Sequence, residues 1–198
     1  MRDRFFKQVK SEIDQLYQIL RVFPEDQIAV IVKMAEIMAS SIIKGGVIFT
    51  CGNGGSAADA QHIAGELVGR FRRKKLKGYK AVALTTNSSI VTALANDYSY
   101  DEIFSKQIES RARKGDILLS LSTSGDSANT VKAAVEADSI GMNSFAFVGS
   151  KKGRLGEVCH YFLSVPHEDF ARIQEVHMLM GHILCGLVED MVVSENGA

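Results

Sequence analysis

Little in this sequence is extreme, and what is scarce narrows the field first. Cysteine occurs three times, as Cys51, Cys159 and Cys185. The count is odd and there is no CxxC pair, which argues against a disulfide framework or a thiolate metal site and fits reduced thiols packed as small apolar side chains. Proline occurs twice, and no tract is of low complexity, so disorder is expected only at the ends. Neither sign of charge is in excess. Lys plus Arg number 23 and so do Asp plus Glu, leaving no global field to favour nucleic acid or an acidic membrane. Long apolar runs are missing as well: no segment approaches the roughly 20 residues of a membrane helix. The N-terminus, MRDRFFKQVKSEIDQLY, has neither the apolar run nor the small-residue cleavage site of a signal peptide. The expectation is a cytoplasmic chain with no membrane and no nucleic-acid partner.

What is present is an ordinary globular composition, 46% apolar and 23% charged over 198 residues. That is enough for one sizeable core and short for two, so 1–198 is expected to form a single domain. Apolar residues at helical spacing over 3–22 (Phe5, Val9, Ile13, Leu16, Ile19, Leu20) and 26–44 (Ile28, Ile31, Val32, Ala35, Ile37, Met38) predict a helical hairpin over 1–44. Pro24-Glu25-Asp26 separates the two helices and Gly45-Gly46 ends the second. Five short β-rich runs follow, at 47–51, 79–85, 116–122, 143–149 and 161–165, apolar on both faces as buried parallel strands are. Helix-length segments lie between and after them, at 57–70, 88–95, 101–113, 127–140 and 168–193. The alternation predicts an α/β fold over 45–193, a three-layer sandwich of flavodoxin-like type on a five-stranded parallel sheet.

Two strand ends repeat one theme, an apolar run passing through a small-residue loop to a serine that opens a helix: VIFTCGNGGS and LLSLSTSGDS. Both would lie at the carboxyl edge of the sheet, where open α/β folds bind ligands. Backbone N–H groups at the two helix starts, with the hydroxyls of Ser56, Ser122, Thr123, Ser124 and Ser127, can cradle a phosphate. Neither loop fits GxxxxGK[ST] or GxGxxG, which argues against ATP and dinucleotides. Either loop alone is equally well a turn with an N-cap; two on one edge point to a sugar phosphate.

His62 and Glu66, four apart on the helix after the first loop, share a face and could ligate one metal or divide acid and base roles. The alternative is a surface pair. The terminal helix carries Gln174, Glu175, His177 and His182 beside an apolar stripe of Ile173, Val176, Met180, Ile183, Leu184 and Leu187. The basic run Arg70–Lys77 reads as a solvated connector that could steer an anion.

The motifs CGNGGSAADAQHIAGELVGRF, ALANDY (93–98), STSGDSANTVKAA and ARIQEVHMLMGHILC, in this order between Gly45 and Val188, resemble the sugar-isomerase (SIS) domain family and, within it, the phosphoheptose isomerases. The resemblance implies conversion of sedoheptulose 7-phosphate to D-glycero-D-manno-heptose 7-phosphate by a homotetramer holding one Zn²⁺ per subunit. Carried over by motif, Asn53, Gly54, Gly55 and Ser56 match the first substrate loop, Ser122, Thr123, Ser124 and Ser127 the phosphate loop, and Asn96 and Asp97 a further substrate-contacting pair. His62, Glu66, Gln174 and His182 match the zinc ligands, Glu66 and Gln174 also meeting substrate, with Glu66 and His182 as the acid–base residues. Non-catalytic members of the family, a replication-initiator-binding protein and sugar-phosphate sensors, are the alternatives; the former resemble this chain but lack counterparts of Glu66 and His182.

Two expectations follow. Asp126 stands where the family more often has Asn, and a carboxylate opposes phosphate, so its side chain should point away from the cradle. Gln174 and His182 are eight apart, roughly 12 Å along one helix, too far to meet at one ion with bonds of about 2 Å. Either the helix bends or the ligands come from more than one chain, and a tetramer favours the second.

Overall fold

Each of the five apolar runs forms a strand: β1 (Ile48–Gly52), β2 (Ala81–Ala83), β3 (Ile117–Ser122), β4 (Asn143–Val148) and β5 (Tyr161–Ser164). In the computed structural model, which describes residues 2–69, 71–72 and 78–195, they make one parallel sheet in the order β2-β1-β3-β4-β5. Arg70 and 73–77 of the basic run lie outside the described residues. The helices are α1 (Arg2–Arg21), α2 (Glu25–Ile43), α3 (Gly55–Val68), α4 (Ser88–Asp97), α5 (Ser105–Arg111), α6 (Ala128–Ile140), α7 (Gly153–Val158) and α8 (Phe170–Glu195).

Side chains alternate across each strand and so divide the core in two. Ile117, Leu119 and Leu121 of β3, with Phe145 and Phe147 of β4, pack with Met34 and Met38 of α2, Ile63 and Leu67 of α3, and Val176, Leu184 and Val188 of α8. Leu118, Ala146 and Val148 point the other way, onto Ile108 of α5, Ala133, Ala134 and Ala137 of α6, and Leu155 of α7. Helices therefore cover both faces, and the polar side chains of the central strands, Thr50 and Ser120, are themselves buried and hydrogen-bonded.

The chain expected as a single helix over 101–113 is a 3₁₀ turn (Tyr100–Glu102) followed by α5. The six residues of α7 show no periodicity of their own and were not anticipated; β2 is shorter than the apolar run around it.

Two observations amend the sequence reading. By length and composition α8 could cross a membrane, against the expectation that no segment comes close, but more than half of its apolar window is buried inside the protein. Its apolar residues are those of a central helix, packed against α2 and α3. The second concerns α1. Of its predicted apolar face, Ile19 is buried, whereas Phe5, Val9 and Ile13 are 55%, 60% and 64% exposed, as is Tyr17 at 59%. One chain leaves this stripe bare.

Candidate active site

In this strand order the chain runs outward in opposite directions from the junction of β1 and β3, and the crevice that opens at such a switch point is where ligands of open α/β sheets bind. The loops after β1 and β3 are the two singled out in the sequence.

The first loop turns sharply because Gly54 adopts φ of +54°, a conformation that glycine enters without steric penalty. Its carbonyl then accepts from Ala57 and Ala58 N–H and starts α3. No side chain caps this helix, nor does one cap α6, so the first-turn N–H groups and the positive ends of both helix dipoles face the crevice. Ser56 is buried at the base.

In the second loop the hydroxyls converge. Ser122 Oγ lies 3.2 Å from Ser127 Oγ and 3.5 Å from Ser124 Oγ, and it accepts from Gly125 N–H at 3.2 Å. Thr123 and Ser124 line a 310 Å³ cavity with Ser150, Lys151 and His167. Asp126 also lines this cavity, with Oδ1 directed to the start of α7, where it accepts from Arg154 N–H at 2.9 Å. One oxygen of the carboxylate thus caps a neighbouring helix.

Through Asn53, loop one also brings in Asn129 and Tyr100, which the sequence reading passed over. Asn53 and Asn129 exchange side-chain hydrogen bonds of 2.8 and 2.9 Å, and Tyr100 OH donates to Asn53 Oδ1 at 2.9 Å. No periodicity marks such residues; the one sequence signal was Asn129's place just after STSGDS. Asn96 and Asp97, at the end of α4, are exposed and bonded to each other, Asn96 Nδ2 donating to Asp97 Oδ1 at 2.9 Å.

Helices α3 and α8 lie side by side in the same direction, and this joins His62 to a residue 120 positions away. Gln174 lies over Gly55, where a Cβ would come within 2.7 Å of its amide; Gly181 faces Ile63. Beside that contact, His182 Nε2 is 3.1 Å from His62 Nε2, which is 3.2 Å from Glu66 Oε1. The donor atoms of His62, Glu66 and His182 all lie within 4.8 Å of one another. Two facing Nε2 atoms either share a hydrogen or both offer lone pairs to a cation. Two imidazoles and a carboxylate are a donor set that suits Zn²⁺ and leave a fourth position open.

Phe71 stacks on His182, with centroids 5.7 Å apart and planes 9° from parallel. Asp59, one turn before His62 on α3, has a buried carboxylate oxygen; burial pushes its pKa up, and the nearby His62 pulls it partly back. Gln174 does not join the cluster: α8 is unbroken from Phe170 to Glu195, so its amide stays about two turns away at the first loop.

His177 points elsewhere, into the core, with Nε2 donating to Val148 O at 3.2 Å. Burial lowers its pKa to about 4. The three cysteines are buried, and burial raises Cys51 and Cys159 to about 12, so those two are packing residues and not nucleophiles.

Comparison with known proteins agrees with this geometry. The family model described as SIS domain matches residues 13–149. The chain is 43% identical to the phosphoheptose isomerase of Burkholderia pseudomallei over 97% of its own length and 98% of that protein. It is 44% identical to that of Thermodesulfovibrio yellowstonii over 93% and 91%. Among solved structures, the phosphoheptose isomerase of Neisseria gonorrhoeae superposes with a TM-score of 0.88 at 36% identity, covering 94% of this chain and 99% of that one. The two-loop crevice, the layered sheet and these relatives agree: the chain belongs to the SIS domain family, on the branch of the phosphoheptose isomerases.

Proposed function

We propose that this chain is a sugar-phosphate isomerase whose reaction is the conversion of sedoheptulose 7-phosphate to D-glycero-D-manno-heptose 7-phosphate, the first step toward a nucleotide-activated heptose. The observation that carries the reading is the meeting of His62, Glu66 and His182 beside a two-loop anion cradle. A ketose–aldose isomerisation removes a proton beside a carbonyl and returns it to the neighbouring carbon through an enediol, so it needs an acid–base pair and charge stabilisation. Glu66 and His182 fill the first role. The N–H groups of Gly54, Gly55 and Ser56 and the hydroxyls of Ser122, Thr123, Ser124 and Ser127 hold the phosphate and the sugar, with Asn53, Asn96 and Asp97 orienting the polyol chain.

His62, Glu66 and His182 would hold a zinc ion, which supplies Lewis-acid stabilisation of negative charge on oxygen. Gln174 is the fourth ligand that the family resemblance implies. Since Gln174 of the same chain lies at Gly55 on an unbroken helix, we assign this donor to a neighbouring copy within a homotetramer. The bare stripe Phe5, Val9, Ile13 and Tyr17 of α1 supports such an assembly. In this reading 1–198 acts as one domain in the cytoplasm, where reduced thiols persist.

The test is to incubate the purified protein with sedoheptulose 7-phosphate before and after chelation. Aldose should form, stop forming on chelation and resume with added zinc. A zinc-loaded oligomer that binds the sugar phosphate without converting it would make the chain a sensor or binding protein instead.

A further inference from the structure

The isomerase reading names residues on three segments, 53–56, 96–97 and 122–127, that must stand at fixed separations to grip one sugar phosphate. Asn53, Asn129 and Tyr100 join all three. Asn53 lies in the loop after β1; Asn129 is in the first turn of α6, directly after the phosphate loop; Tyr100 follows Asp97 by three residues. Asn53 Nδ2 donates to Asn129 Oδ1 at 2.8 Å, Asn129 Nδ2 donates to Asn53 Oδ1 at 2.9 Å, and Tyr100 OH adds a second donor to the same oxygen at 2.9 Å. Among the described residues, no other side-chain hydrogen bond joins 53–56 to 122–130.

The arrangement requires an amide at position 129. A carboxylate there could accept from Asn53 but not donate to it, and an aliphatic side chain could do neither. Asn129 is 2% exposed, so water cannot replace a lost partner and the paired state is strongly favoured. The pair also occupies both polar atoms of Asn53. The backbone N–H groups of Gly54, Gly55 and Ser56, with the remaining Asn53 Nδ2 hydrogen, are then what this loop offers a ligand.

We infer that Asn129 is a positioning residue for sugar-phosphate binding: through its reciprocal amide pair with Asn53, braced by Tyr100, it sets the distance between the two anion loops. The inference rests on the isomerase reading only for the identity of the ligand. Glu66 and His182 sit farther along α3 and on α8, away from the pair, so the effect belongs in KM and not in kcat.

The experiment measures kcat and KM for sedoheptulose 7-phosphate, calorimetric binding of inorganic phosphate, and thermal unfolding, on wild type, Asn129→Leu, Asn129→Asp and Tyr100→Phe. Both Asn129 variants should raise KM about tenfold and weaken phosphate binding to match, with kcat within about threefold of wild type. Tyr100→Phe alters an exposed residue and should raise KM by about threefold whether or not the buried variants fold. Unchanged KM in folded Asn129→Leu overturns the inference, as does a defect confined to Asn129→Asp, which would mark added charge as the cause. If the Asn129 variants do not fold, unchanged KM in Tyr100→Phe overturns it. Should wild type convert no substrate, the isomerase reading fails while phosphate binding still scores the amide pair, weakened binding upholding it and unchanged binding overturning it.

Discussion

At Asp126 a negative charge sits inside a loop read as an anion cradle, and its side-chain direction decides whether the two conflict. The bond from Oδ1 to Arg154 N–H directs one carboxylate oxygen to a helix start, where negative charge is favourable. Asp126→Asn keeps this acceptor, so KM for the sugar phosphate should change by less than about threefold, the residual charge being screened by solvent. A marked gain in affinity would show that the carboxylate opposes phosphate after all.

His177 carries the pH prediction. Its pKa falls from 6.5 unfolded to about 4 folded because burial disfavours the charged ring. Between these values the unfolded chain binds the extra proton, so stability is fully present above pH 6.5 and is lost as pH falls toward 4. The difference corresponds to about 3 kcal/mol. Denaturant unfolding of wild type from pH 7 to pH 4 should show this fall, and His177→Gln should flatten it. At the site itself, His62 and Glu66 were legible together from their spacing. His182 was carried over by the motif ARIQEVHMLMGHILC, but its meeting with His62 was not legible, since no spacing marks a partner 120 residues away. Asn129 and Tyr100 stayed hidden because a bond between two loops leaves no period in a sequence.

At the scale of the element, α8 holds the most meaning per residue. One face builds the core through Val176, Leu184 and Val188; its flank brings His182 to His62 and lays Gln174 on the first loop. Leu184 is fully buried, and Leu184→Ala should cost about 2–5 kcal/mol in chemical unfolding. The five strands could be read because runs buried on both faces stand out between glycine-rich turns. The split at Tyr100–Glu102 and the six-residue α7 could not, because both are shorter than the window over which helical periodicity shows. The flank of α8 follows from its packing direction beside α3, which the spacing of its own residues does not contain.

At the scale of the molecule, one chain presents an unfinished object: a bare stripe on α1 and three donor atoms converging without Gln174. Assembly would complete both. The double variant Val9→Lys with Ile13→Lys alters residues already exposed in the single chain, so the fold should survive. If the proposed assembly forms through this stripe, light scattering should show smaller species than wild type, with turnover falling in step; an assembly of unchanged size would move the interface elsewhere.

The most direct measurement is NMR of sedoheptulose 7-phosphate incubated with zinc-loaded wild type, Glu66→Gln and His182→Asn. Wild type should generate the aldose heptose 7-phosphate, while each variant retains its fold, oligomer and sugar-phosphate binding and forms none. Turnover at the wild-type rate in either variant would contradict the assignment of Glu66 and His182 as the acid–base pair.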